Sequence, residues 1–117
     1  MILEKPHTRV AHHFDPLPAN PGGRVLQGKP KIATWISYRD RSVTAGVFEA
    51  TRGKLEVTFP FTEYATILEG EVTITDESGR QHTYRRGDSY LVLGGQPVVW
   101  DVRCPRVRQS FFSLTES

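Results

Sequence analysis

The chain has 117 residues, 15 Lys and Arg against 13 Asp and Glu, a net charge of +2 and one cysteine, Cys104. One domain of this length buries a core without staples. So small a charge, spread over scattered arginines, excludes a nucleic-acid surface argued from electrostatics. A single cysteine excludes an internal disulfide and a CxxC site, and no apolar run has the length of a membrane-spanning helix or the layout of a leader. The expected setting is the cytoplasm, with no nucleic-acid or membrane partner.

The first thirty residues carry Pro6, Pro16, Pro18, Pro21 and Pro30 with Gly22, Gly23 and Gly28. Proline fixes φ and removes donors, so residues 1–30 read as an extended arm without regular structure. Val10, Phe14, Leu17, Val25 and Leu26 give the arm apolar handholds for docking. Residues 31–117 read as the folded domain.

From Lys31 the pattern changes to short alternating runs. Ile32, Thr34, Ile36 and Tyr38 share one phase, as do Leu55, Val57 and Phe59. Period two is the mark of a strand with one buried face. Further runs cover 43–50, 64–68, 71–75, 81–85, 89–93, 98–103 and 107–114. Asp76-Glu77-Ser78-Gly79 is predicted as a hairpin turn, with Gly79 taking positive φ. Gly87-Asp88 and Gly94-Gly95 mark two more turns, and Arg103-Cys104-Pro105 another. No run has helical period. About nine short strands point to a sandwich or barrel.

One segment narrows that choice. Glu63 and Gly70 are separated by six residues, and Leu68-Glu69-Gly70-Glu71-Val72 lies at a strand reversal. This resembles the end of the first cupin motif, G-x5-H-x-H-x(3,4)-E-x6-G. Arg86-Gly87-Asp88 resembles the start of the second. Thr34-Trp35, Ala45-Gly46-Val47-Phe48-Glu49, Arg52-Gly53-Lys54 and Val99-Trp100 are similar to the small single-domain cupins grouped with ureidoglycine aminohydrolase and the ethanolamine-utilisation cupins. The resemblance covers about residues 25–113. It implies an all-β fold, a cupin (RmlC-like jelly-roll) double-stranded β-barrel.

The resemblance also implies a metal, held by inward His and Glu ligands. Here those positions fall on Val57, Phe59, Glu63 and Val98, and three of the four have no lone pair to offer. With the longer motif spacer the first two positions fall on Glu56 and Thr58, and recruiting Glu56 or Gln96 requires a register slip that turns Leu55, Val57 and Phe59 outward. His7, His12 and His13 lie in the arm, with adjacent His12 and His13 facing opposite ways when extended. His82 is expected at the surface. No metal cofactor is therefore expected, beyond a weakly held divalent ion at Glu63.

What remains is an aromatic cavity holding one carboxylate, with Trp35 or its neighbours and Ile67 also facing inward. The candidate ligand-binding residues are Phe48, Val57, Phe59, Glu63, Tyr90, Val98 and Trp100. A carboxylate among aromatics loses solvation, which raises its pKa. Glu63 is thus the candidate general acid or base, or the anchor for a cationic ligand with cation–π help from Trp100 or Trp35. The expected function is binding of a small polar or nitrogenous metabolite inside the barrel. The alternative is an enzyme resembling ureidoglycine aminohydrolase, acting on a ureide-like or amino metabolite. A homodimer is expected, since an edge-rich β domain gains by covering its edges.

Overall fold

The computed structural model describes Asp15–Pro16 and residues 23–115. These form nine strands and no helix: β1 (Asp15–Pro16), β2 (Gly23–Gly28), β3 (Ile32–Arg39), β4 (Val43–Thr58), β5 (Thr62–Glu69), β6 (Glu71–Asp76), β7 (Gln81–Arg85), β8 (Ser89–Val92) and β9 (Pro97–Leu114).

Two strands organise the rest. β4 has 16 residues and β9 has 18. They pair antiparallel along their whole length, from Val43 opposite Leu114 to Thr58 opposite Pro97. Each serves both walls of the barrel. In the front wall the order is β3-β4-β9-β5-β8, with the first half of β4 beside the second half of β9. In the back wall the other halves pair with β2 and β6, and β7 closes on β6.

The change of wall happens at one irregularity. Thr51 faces Arg106 and Gly53 faces Val102, so Arg103, Cys104 and Pro105 oppose Arg52 alone. Extra residues on one strand bend it and sharpen its twist. A proline without an N–H fits such an interruption. Thus Arg103-Cys104-Pro105 is a bulge within one bent strand rather than the turn its composition suggested. The same bend explains why β4 and β9 each read as two short strands. Gly53 is required there, because a Cβ would lie 2.6 Å from the Pro30 ring.

Regular structure also begins earlier than the proline content suggested. Val25 lies opposite Leu55 and Arg24 opposite Glu56, so residues 23–28 are a strand of the back wall. Pairing with β4 supplies the hydrogen bonds that local sequence alone does not promise. The Asp76–Gly79 turn is as expected: Gly79 has φ of 88°, and Asp76 Oδ1 accepts from the backbone N–H groups of Ser78 and Arg80.

The core lies between the walls, where Leu55, Ile74, Val98 and Trp100 of the back wall meet Ile67 and Val107 of the front. Phe48 meets Trp100 edge to face at 5.2 Å. On the outer side of the front wall, Phe112, Tyr64 and Leu91 stand side by side across β9, β5 and β8. They remain about half exposed, as does Leu93. β8 pairs with β5 alone among the described residues.

Candidate functional site

Side chains alternate between the faces of a strand, so cross-strand partners on the inner face of the front wall form rows. The innermost row is Ile32, Ala50 and Val107, all buried and aliphatic. Next comes Thr34, Phe48, Gln109 and Ile67. Ile36, Gly46, Phe111, Ala65 and Tyr90 follow. The outermost row is Arg39, Thr44, Ser113, Glu63 and Val92, four polar side chains on four neighbouring strands. The inner face therefore grades from an aliphatic base to a polar rim.

A cavity of about 510 Å³ opens at the rim end. Its front lining includes Thr34, Ile36, Phe48, Gln109 and Phe111, together with Arg39, Thr44, Ser113 and Glu63 of the rim. Leu55, Val57 and Trp100 line it from the back wall. Phe59 and Phe61, stacked at 5.1 Å in the link between β4 and β5, line it from the side. Space of this size, apolar with a few placed polar groups, is the usual make-up of a small-molecule site.

Among the described residues Glu63 is the only carboxylate in that lining. It is 6 % exposed, and it makes no hydrogen bond or ion pair with another described residue. Burial pushes its pKa up from 4.5 to about 7, because desolvation disfavours the charged form. The phenol that feels its charge, Tyr90, is otherwise engaged. The Tyr90 hydroxyl donates to Gln109 Oε1 at 2.9 Å. Burial, with the Glu63 charge second, holds that phenol protonated well above its ordinary range. Glu63 thus faces the cavity as a carboxyl able to take up or give up a proton near neutral pH.

The structure brings Phe48, Val57, Phe59, Glu63 and Trp100 together around the cavity. Tyr90 and Val98 are buried but outside its lining. Tyr90 acts one layer back, through Gln109. Val98 pairs with Val57 and packs into the core. Trp35 faces away, and its neighbours Thr34 and Ile36 line the cavity instead. The Trp35 ring lies 5.4 Å from the Arg108 guanidinium, which bonds Glu49 at 2.9 Å on the outer face. His82 is exposed and packs on Tyr84, while His7, His12 and His13 lie outside the described residues.

Arg39, Thr44, Gln109 and Ser113 were not among the sequence candidates. A signal existed for two of them. Val107, Gln109, Phe111 and Ser113 share one phase of β9, so two polar residues stand on a face that apolar neighbours place inward. Arg39 and Thr44 join them only through pairing between strands.

The donor set does not fit the metal that the cupin resemblance implies. The ligand positions Val57, Phe59 and Val98 carry hydrocarbon, and carboxylate or imidazole donors are what such ions need. Among the described residues no three His, Cys, Asp or Glu side chains gather at one point.

A small antiparallel barrel built on two long bent strands, with its cavity opening at one end, is a cupin. The chain belongs to the EutQ-like cupin domain family, whose model matches residues 38–111. EutQ of Clostridium difficile superposes with a TM-score of 0.71 at 14 % identity, covering 86 % of this chain and 76 % of that one. A Pseudomonas syringae protein of unknown function in the DUF861 family superposes with a TM-score of 0.70 at 22 % identity, covering 76 % of this chain and 39 % of that one. At such identities the likeness is one of fold. No curated protein matches the chain. No helix among the described residues is long and apolar enough to cross a membrane.

Proposed function

We propose that this cupin binds a small polar or nitrogenous metabolite inside the barrel, with Glu63 as its anchor. The observation that supports this reading is a carboxyl 6 % exposed, facing an open cavity without a partner among the described residues. An unpaired buried polar group is costly, and more so when charged. A ligand N–H or ammonium offsets that cost, while Phe48, Phe111 and Trp100 take up its apolar part. The EutQ neighbours are consistent with such a ligand: one, from Salmonella typhimurium, is described with ethanolamine utilization, and ethanolamine is a small amine.

Thermal unfolding with ethanolamine, benzylamine and allantoin tests the reading. A true ligand raises Tm with concentration as RT ln(1 + [L]/Kd), about 2.7 kcal/mol at a hundredfold excess over Kd. Glu63→Gln should erase the rise. No rise with any of the three, or a rise that survives the substitution, would remove Glu63 as the anchor.

The Glu63 pKa of about 7 favours a second reading, general acid–base chemistry on an amino or ureide-like metabolite. Turnover of allantoin or another ureide that Glu63→Gln abolishes would select it over binding alone. The same proposal includes a homodimer, with a second copy covering the apolar row Phe112, Tyr64 and Leu91 beside edge strand β8.

A further inference from the structure

The rim row contains a second group without an assigned task. Arg39 closes β3 and lines the cavity mouth, and it makes no hydrogen bond or ion pair with another described residue. Its acidic neighbour does not neutralise it. Asp40 Oδ1 accepts from the backbone N–H groups of Ser42 and Val43, at 3.1 and 3.0 Å. Asp40 Oδ2 accepts from the Tyr38 hydroxyl at 2.9 Å. The side chain of Asp40 is thus spent on the β3–β4 turn and on Tyr38.

Pairing then fixes where Arg39 stands relative to Glu63. Arg39 is opposite Thr44, Thr44 opposite Ser113, and Ser113 opposite Glu63. Three strand spacings separate the ends of this row, about 14 Å between backbones along the sheet. Both end side chains belong to the same cavity. Between them on the row stand Thr44 and Ser113, which line the same cavity. Apolar wall from Ile36 and Phe111 lies one row deeper.

Resting on the reading of Glu63 as an anchor, we propose that the ligand is a small organic acid with an amine or amide at its far end. Its carboxylate meets Arg39 at the mouth, its N–H donor meets Glu63, and its apolar middle lies against Ile36 and Phe111. The row thereby sets both the charge pattern and the length of the ligand. A guanidinium with no competing carboxylate among the described residues suits this task, because it pairs a carboxylate through two parallel hydrogen bonds. Its exposed placement tempers the gain, so the expected preference is about tenfold.

The test uses the full chain and calorimetric titration with two matched pairs of probes. These are 6-aminohexanoate against pentylamine, and 4-(aminomethyl)benzoate against benzylamine. Each pair differs only by the carboxylate. The acids should bind about tenfold more tightly than the amines. Arg39→Gln should bring each acid down to its amine while leaving the amines unchanged, and Arg39→Lys should restore part of the preference. Glu63→Gln should weaken all four. Equal binding of acids and amines, or a preference that survives Arg39→Gln, overturns the role of Arg39 and leaves Glu63 standing. Binding of none of the four, or binding indifferent to Glu63→Gln, overturns the reading of Glu63 and this inference with it.

Discussion

The two ends of the front wall are built from the same strands and differ in what they bury. At the base, Ile32, Ala50 and Val107 form a dry aliphatic row, and Val107 and Ala50 have no exposure at all. At the rim, the same strands set Arg39, Thr44, Ser113 and Glu63 side by side. Aliphatic rows contribute through burial, at about 25 cal/mol per Å² of apolar surface removed from water. Glu63 acts in the opposite sense. A desolvated carboxyl without a partner among the described residues lowers stability. The difference separates an aliphatic base that holds the fold from a polar rim that lines the cavity.

Substitutions of one kind at both ends put that contrast to the strongest test. Val107→Asp buries a charge in the aliphatic row and should cost about 4 kcal/mol or more, or prevent folding. Thr44→Asp, at the partly open rim, should cost about 1 kcal/mol or less. Urea unfolding of the two variants measures both, and equal costs would mean the rim is as closed as the base.

The next effect is a dependence on pH. Glu63 titrates near 4.5 in the unfolded chain and at about 7 when folded. Below pH 4.5 both states hold the proton, and this group contributes nothing. As pH rises from 4.5 to 7 the unfolded chain releases it while the folded chain keeps it, so stability falls. The loss is complete above about pH 7 and amounts to about 3 kcal/mol. Glu63→Gln should flatten this part of the profile, so that the variant is the more stable protein at pH 8. Parallel profiles for the two proteins would show that Glu63 is paired or solvated.

A smaller effect is expected one layer behind the rim. Tyr90→Phe removes the hydrogen bond to Gln109 and should cost about 1 kcal/mol in chemical unfolding. It should also loosen ligand binding by freeing the amide that Tyr90 orients, and unchanged affinity would limit Tyr90 to the core. Smallest of all, Arg39→Gln and Leu91→Arg should each leave the stability of the fold within about 0.5 kcal/mol. Light scattering should nevertheless find Leu91→Arg monomeric if a second copy covers the outer apolar row. A parent protein that is itself monomeric at micromolar concentration would end the dimer proposal.

Much of the barrel was legible along the chain. Alternation set the phase of Leu55, Val57 and Phe59, the resemblance of Leu68-Glu69-Gly70-Glu71-Val72 to a cupin turn marked the β5–β6 reversal, and Gly79 announced its turn. Those features depend on residues a few positions apart, where period and backbone freedom decide. Strand β2 was hidden, because residues 23–28 gain their hydrogen bonds from β4, some thirty positions away. The continuity of β4 and β9 was hidden for the same reason: Gly53 and Pro105 look like chain breaks until partner strands bridge them. Trp35 shows the limit of composition: the sequence left open whether Trp35 or its neighbours face inward, and the structure puts Thr34 and Ile36 on the cavity.

By itself the sequence determined the class of fold, the phase of most strands, and the poverty of the metal positions at Val57, Phe59 and Val98. Local periodicity carries the strands and their phase, and the resemblance to the cupin motifs carries the barrel and the metal positions. Only the tertiary structure decided that Arg39, Thr44, Ser113 and Glu63 share one row, that Tyr90 serves Gln109, and that Glu63 is left facing open space. Those outcomes depend on register between strands up to some seventy residues apart. Register is set by the summed packing and hydrogen bonding of whole strands, which no short window of sequence contains.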